Sequence, residues 1–145
     1  MFLKHPLMMY PTLSATIVCF KIVNDKFPKL HHLDNPANAF RHALWNALII
    51  HKGLFWNKNL KKVLLWTQRI TNWHEEFAPN KPLEKAMDLH NNSKGQLWYS
   101  QMISEKKITI VTLINELEKK VKDCKKITSL SDIKKYSEYL VCLHD

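Results

Sequence analysis

Three consecutive segments with the start and stop signals of helices constrain the fold of this chain more than any other feature. They are predicted to be helices from about Pro36 to His51, Asn59 to Phe77 and Pro82 to Ile103. Asn35 can cap the first of them, Gly53 follows its end, and proline opens both the first and the third. The second repeats apolar residues at intervals of three and four. With two glycines in 145 residues, the composition is typical of a helix-rich protein rather than a β-sandwich.

The flanking segments are also predicted to be helical, apart from an extended stretch from Met1 to Pro11. The apolar run from Leu13 to Asn24 fits a buried strand or a helix, and its length and its neighbours favour a helix. Beyond residue 104, an apolar stripe and a serine cap predict a helix pair over about 108–143. We therefore predict an all-α fold, a compact bundle of five or six helices. It forms one domain over residues 1–145, with its core in about 13–103.

The formal charge of +9 comes almost entirely from lysine, because Arg41 and Arg69 are the only arginines. Arginine makes the bidentate contacts to phosphates and base edges, whereas dispersed lysines give solubility and loose attraction to polyanions. We therefore predict no specific nucleic-acid binding. A lysine-driven binder of anionic membranes or nucleic acid remains as a third class of function, behind the two given below.

Neither cysteines nor apolar segments indicate a secreted or membrane-spanning protein. Cys19, Cys124 and Cys142 are odd in number and widely spaced, which argues against a disulfide framework or a zinc ribbon. The apolar run Leu13–Val23 is too short to span a bilayer, Lys21 interrupts it, and no small-residue cleavage site follows it. We predict no transmembrane segment and a cytoplasmic protein as made, with export that needs no cleaved signal left open.

Polar residues recur on one edge of each of the three central helices, and these helices with the segment between the first two carry all five tryptophans. Polar groups buried in such aromatic surroundings need partners. The first helix contributes Asn38, Arg41, His42 and Asn46, the second His74 and Glu75, and the third Asp88, Asn91, Asn92 and Gly95 at i, i+3, i+4 and i+7. Glycine inside a helix costs about 1 kcal/mol of propensity, which indicates a close approach of another group to its backbone. We predict that the three polar stretches converge.

These residues resemble a bacterial domain family of unknown function. The resemblance rests on three blocks, which are Asn38–Asn46 (NAFRHALWN), Trp73–Glu75 (WHE) and Met87–Gly95 (MDLHNNSKG). It covers about residues 30–100 and leaves the tail after Ser104 outside. Members of that family occur as short standalone proteins and at the ends of larger, secreted or toxin-like bacterial chains. The resemblance implies a helical fold with a polar site, but it brings no established activity.

Three hypotheses describe the site, whose predicted reactive residues are Arg41, His42, His74, Glu75 and Asp88, with Asn38, Asn46, Asn91 and Asn92 in support. In the first, His42 and His74 bind a divalent metal with Asp88 or Glu75 and leave a coordination position open. In the second, without metal, His42 or His74 acts as general base, Asp88 or Glu75 orients it, and Arg41 holds an anionic group. In the third, the residues form a buried network with an Arg41–Asp88 ion pair that fixes the helix register.

The function we favour is a small hydrolase-like enzyme, with a divalent metal as candidate cofactor and an unidentified substrate. Toxin or effector activity is suggested by the chains in which the resembling family occurs. The alternative is a non-catalytic interaction or immunity-type module that binds a partner protein. An enzyme needs the polar residues around a solvent-connected cavity, whereas a scaffold leaves them saturated by protein partners.

Overall fold

Helices form most of the chain. The structure is a computed structural model and describes residues 6–29, 33–105 and 107–145. Within these residues the elements are α1 (Pro6–Lys26), α2 (Pro36–Trp56), α3 (Leu60–Phe77), α4 (Pro82–Glu105), α5 (Ile110–Val121), β1 (Lys125–Lys126), α6 (Leu130–Lys135) and β2 (Val141–Cys142). The prediction of an all-α bundle of five or six helices is confirmed.

Two central helices begin where their capping residues predict. Asn35 accepts a hydrogen bond from the backbone N–H of Asn38 at 3.1 Å. Asn59 accepts one from the backbone N–H of Lys62 at 3.0 Å. These bonds satisfy N–H groups that have no partner inside the helix. The prolines predicted to open α2 and α4 are the first residues of those helices.

Two predicted boundaries are wrong. Residues 6–11 are helical rather than extended, with Pro11 inside α1, while residues 1–5 lie outside the described part of the chain. α2 continues past Gly53 to Trp56. Gly53 serves helix packing instead of ending the helix, since an added Cβ would lie 2.9 Å from Val63 Cγ1.

The predicted C-terminal helix pair is present only in part, because α6 ends at Lys135 and a strand follows it. β1 and β2 pair in parallel. The backbone N–H of Lys125 donates to Leu140 O at 2.9 Å, and that of Ile127 donates to Cys142 O at 2.8 Å. Leu140 and Val141, which lie in the predicted second helix, are therefore buried at a short strand whose backbone groups are paired.

α2 is the centre of the bundle and packs against α1, α3, α4 and α5. Its residues Phe40, Leu44 and Leu48 have no exposed surface. A helix that is apolar nearly all round belongs in a core. Leu113 and Leu117 of α5 belong to the same core cluster. The core therefore extends beyond the predicted limit at residue 103.

α1 lies at the edge of this core. Its buried residues include Ala15, Cys19 and Val23, which belong to the core cluster with α2. The whole helix is long and apolar enough to cross a membrane by length and composition, and 28% of its most apolar 18 residues are buried. Core helices of soluble proteins and signal sequences share these properties, so this feature alone assigns no membrane span. The absence of a transmembrane segment stays a prediction.

A close contact between α2 and α4 brings their polar edges together. A Cβ added at Gly95 would lie 2.2 Å from the backbone oxygen of Ala43 and 2.7 Å from its Cα. Only glycine lets the two backbones approach this closely without movement. The close approach expected at Gly95 is therefore present, and it is a contact between the two helices.

Candidate functional site

Three ionisable side chains from three different helices meet in the interior of the bundle. His42 comes from α2, Glu75 from α3 and Asp88 from α4. One nitrogen or oxygen atom of each lies within 4.8 Å of the others. All three residues are buried, with 4%, 1% and 4% of their surface exposed. Buried charges are costly unless they are paired or bound to a metal, so this cluster requires an explanation.

The partners of His42 define the state of its ring. Nη2 of Arg41 donates to Nε2 of His42 at 3.0 Å. Because a guanidinium group only donates, Nε2 accepts and the proton lies on Nδ1. Nδ1 then donates to Oδ1 of Asn92 at 3.0 Å, with Oε1 of Glu75 at 3.5 Å. Nε2 also lies 3.2 Å from Oδ1 of Asp88.

Asparagine side chains surround the cluster. Asn92 donates to Oε1 of Glu75 at 3.0 Å, and its own oxygen accepts from Asn46 at 2.7 Å. Asn38 accepts from Nη2 of Arg41 at 2.6 Å and donates a long bond of 3.5 Å to Oδ1 of Asp88. These amides hold the ionisable groups in fixed positions.

Two further amide side chains, which the sequence did not indicate, also contact these residues. Asn80 donates to Oδ2 of Asp88 at 3.0 Å. Gln96 donates to the side-chain oxygen of Asn46 at 2.8 Å. Gln96 follows Asn92 by four residues on α4, so the helical spacing could have found it. Asn80 lies in the loop before α4, where no periodicity applies.

Burial dominates the electrostatics of the cluster. Burial, followed by the positive charge of Arg41, lowers the pKa of His42 to about 3. Burial and the neighbouring Glu75 carboxylate raise the pKa of Asp88 to about 8. Burial also raises the pKa of Glu75, against the hydrogen bond from Asn92. At neutral pH the imidazole is therefore uncharged, and ionised carboxylates are disfavoured without a further positive charge.

A partly open cavity of about 150 Å³ lies beside the cluster. It is lined by Thr16, Cys19, Phe20, Arg41, His42, Trp45 and His74. Glu75 and Asp88 are not among these lining residues. The ring of His42 thus connects the cavity to the two carboxylates.

Three predicted arrangements differ from the structure. His74 is exposed, stacks edge-on against Trp45 with ring centroids 5.2 Å apart, and lies outside the group of three, where Glu75 takes its place. Asn91 points away from the cluster and pairs with the backbone of Val141. Across the described residues, Arg41 forms no ion pair with Asp88, because its guanidinium is directed to Asn38 and His42.

A family model described as a domain of unknown function, DUF6973, matches residues 1–128. The chain belongs to this family. The match is longer than the segment of about residues 30–100 that the three sequence blocks suggested. It includes every residue of the cluster and of the cavity. No curated protein matches the chain, and no solved structure does. The family description names no activity for this DUF6973 domain.

The donor set of this DUF6973 domain suits a divalent cation. Imidazole nitrogen and carboxylate oxygen are ligands that zinc, manganese and iron accept in proteins. A metal-bound histidine usually donates its other ring N–H to a fixed acceptor, as Nδ1 of His42 does to Asn92. His42, Glu75 and Asp88 are therefore the residues that could hold a metal.

Proposed function

We propose that this DUF6973 domain is a metal-assisted hydrolase. His42, Glu75 and Asp88 bind a divalent cation, and Arg41 holds an anionic group of the substrate. The observation that carries the proposal is the 3.2 Å contact between Nε2 of His42 and Oδ1 of Asp88, next to the cavity that His42 lines. Both atoms are hydrogen-bond acceptors, and the single lone pair of Nε2 is already shared with an N–H of Arg41. The contact becomes favourable when Asp88 carries a proton or when a cation replaces Arg41 at Nε2.

Charge balance favours a cation at this position. A neutral imidazole and two carboxylates supply two negative charges, which a divalent ion neutralises. In the metal-free protein, a proton on Asp88 can satisfy the contact with His42. A bound cation replaces that proton and removes the repulsion between the two buried carboxylates.

The expected chemistry is activation of water. A divalent metal lowers the pKa of a bound water and so provides a nucleophile at neutral pH. A cation at Nε2 of His42 would displace the Arg41 guanidinium, which contacts that atom at 3.0 Å and lines the cavity. The guanidinium is then free to bind a phosphate or carboxylate oxygen. His74 lines the same cavity and is available for proton transfer.

The competing function is a non-catalytic module in which the polar network is structural. One observation favours it. Asn46 and Asn92 have their amide groups paired with protein partners, and neither carboxylate lines the cavity. In that case the cluster sets the helix register and binds no metal.

Metal binding by the full chain, stripped with EDTA and freed of any histidine tag, separates the two functions. We expect calorimetry to detect one Mn²⁺ or Zn²⁺ ion per chain. Changing a residue that only supports a metal ligand typically lowers metal affinity about 10- to 100-fold. The isosteric variants Asp88→Asn and Glu75→Gln remove a ligand, so they should lower the affinity further. Asp123→Asn, which alters an exposed carboxylate, should bind as the wild type does.

Activity is measured on the metal-loaded protein with bis-p-nitrophenyl phosphate and p-nitrophenyl esters. We expect turnover that EDTA removes and that is lost in Asp88→Asn. A wild-type chain that binds neither ion would overturn the metal site and favour the structural module. Metal binding with no turnover of any of these probes would overturn the hydrolase.

A further inference from the structure

Positive charge is concentrated in the first half of the chain. Residues 1–74 contain ten lysines and arginines but only Asp25 and Asp34 as acids, a net charge of +8. Residues 75–145 contain twelve basic and eleven acidic residues, a net charge of +1. The first half supplies α1, α2 and most of α3. Nearly all of the excess charge therefore belongs to the part of the bundle that carries the cavity.

The same region exposes an unusual amount of apolar surface. Five large side chains of α1 are exposed, which are Leu7 (68%), Tyr10 (65%), Leu13 (58%), Ile17 (71%) and Phe20 (42%). They recur at intervals of three and four, so they share one face of the helix, opposite the buried Ala15, Cys19 and Val23. Contiguous exposed apolar patches on a protein mark interaction sites. We call this set of five the α1 face.

Aromatic residues of the neighbouring helices extend the α1 face. Tyr10 packs against Trp56 of α2 with tilted rings, whose centroids are 5.4 Å apart. Leu13 lines a groove together with Trp73 of α3. The ring of Trp73 packs at an angle against that of Phe77, with centroids 5.3 Å apart. Trp56 is 52% exposed and Phe77 is 71% exposed. Tryptophan and tyrosine are enriched where a protein meets the headgroup level of a bilayer.

Lysines border this surface. Lys52 and Tyr10 line one depression of the protein surface. Nζ of Lys58 lies 5.7 Å from the ring centroid of the exposed Phe55. Lys21 is exposed and follows Phe20 on α1. An apolar helix face with basic residues beside it is the pattern of proteins that lie on anionic membranes.

The α1 face also borders the candidate active site. Phe20 lines the cavity that contains Arg41 and His42. The groove between Leu13 and Trp73 shares Thr16, Trp45 and His74 with that cavity. A surface that docks on the α1 face would therefore cover the mouth of the cavity.

We propose that the α1 face binds the surface of an anionic phospholipid bilayer and brings the cavity against the lipid headgroups. α1 keeps Ala15, Cys19 and Val23 packed in the core, so the helix lies in the interface and does not cross the membrane. That the substrate is a phospholipid ester or phosphodiester rests on the proposed function. Binding to the bilayer does not depend on it.

Vesicle binding by the full chain tests the membrane face. The two vesicle types are pure phosphatidylcholine and phosphatidylcholine with about one third phosphatidylglycerol, at low and at high salt. We expect sedimentation with the anionic vesicles only, weakened by salt. Leu13→Asp should lower the partition coefficient by about tenfold or more, since it removes a leucine from the apolar contact and adds a repelled charge.

Leu130 offers a matched control. It begins α6, in the half of the chain whose net charge is +1, and it is 57% exposed, against 58% for Leu13. Leu130→Asp should bind vesicles within twofold of the wild type. Equal effects of the two variants, or equal binding to neutral vesicles, would overturn the proposal. So would self-association through the α1 face, which would assign it to a second copy, or resistance to alkaline extraction, which would show that α1 spans the bilayer.

A further arm separates this inference from the proposed function. Asp88→Asn should bind vesicles as the wild type does, even where it loses metal and activity. Metal-loaded wild-type protein should hydrolyse phosphatidylglycerol in vesicles, and Leu13→Asp should lose that activity while still cleaving soluble bis-p-nitrophenyl phosphate. Vesicle binding without lipid hydrolysis would overturn the lipid substrate and leave the membrane face standing.

Discussion

Asn91 and Asn92 are neighbours on α4, both fully buried or nearly so, yet they belong to two different polar networks. Asn91 donates to the backbone oxygen of Val141 at 2.9 Å and accepts from its N–H at 3.0 Å. Asn92 contacts His42, Glu75 and Asn46. One network is a closed pair of neutral groups, and the other holds ionisable groups beside a cavity.

The comparison distinguishes buried polar groups that stabilise the fold, as around Asn91, from buried polar groups that are suited to bind a ligand, as around Asn92. The Asn91 pair satisfies every polar group that it buries, with no charge involved. The Asn92 network brings two carboxylates together beside Arg41, and burial raises the pKa of both Asp88 and Glu75. Local arrangements that stability alone does not favour are found mainly at functional sites.

Gly95→Ala is the change expected to disturb the Asn92 network most. The new Cβ would lie 2.2 Å from Ala43 O, so α2 and α4 would have to move apart. We expect a loss of about 3 kcal/mol or more in the free energy of unfolding, despite the gain in helix propensity. Urea denaturation measures it. Metal affinity should fall as well, because the movement separates His42 from Asp88 and Asn92.

Gly53→Ala is the matched control for this change. The atoms nearest to its Cβ would belong to the side chains of Val63 and Met8, at 2.9 and 3.2 Å, and side chains can shift where a backbone cannot. It should cost clearly less stability and leave metal affinity unchanged. Equal losses in the two glycine variants would show that the contact between α2 and α4 does not control the site.

Asn91→Ala tests the Asn91 pair, which joins α4 to Val141. It leaves the buried N–H and C=O of Val141 without partners, at about 1–3 kcal/mol for each group. We expect a loss of about 2 kcal/mol or more in the free energy of unfolding, with metal affinity within twofold of the wild type. Ser93→Ala, which removes an exposed hydroxyl on the same helix, should change stability by less than about 0.5 kcal/mol.

Asn92→Ala completes the comparison, since it should weaken metal binding by about 10- to 100-fold through loss of the support for His42. If Asn91→Ala impaired metal binding as strongly as Asn92→Ala, the Asn91 pair and the Asn92 network would not be independent of each other.

The sequence predicts the helices and most of the site because both follow from spacing along one helix. Capping residues place the starts of α2 and α3, and the spacing of Asp88 and Asn92 places them on one edge of α4. Spacing cannot distinguish residues that differ by a small rotation. Asn91 lies beside Asp88 and Asn92 on the helix surface, but only the docking of β2 shows that it serves a different partner.

The metal hypothesis names His74 as a ligand, whereas the structure groups Glu75 with His42 and Asp88, and the reason is related. Neighbouring residues on a helix point about 100° apart, so the rotation of α3 in the bundle decides which of them enters the interior. That rotation depends on packing between helices, which spacing along α3 does not encode. In the structure Glu75 is buried and His74 lies at the surface of the cavity.

The last prediction concerns Cys19, which lines the same cavity as His42. Its thiol donates to the backbone oxygen of Arg41 at 3.6 Å. Burial raises the pKa of Cys19 to about 12, against the nearby charge of Arg41. Because the folded-state pKa exceeds the value of 9.0 for an ordinary thiol, the contribution of Cys19 to stability is complete below pH 9 and is lost as the pH rises toward 12. At pH 8 its thiolate is scarce, so iodoacetamide should modify Cys19 at least about 100-fold more slowly in the native protein than in urea, as peptide mass spectrometry can measure. Rapid modification of native Cys19 would contradict this expectation and would mean that the cavity opens far enough to expose a reactive thiol.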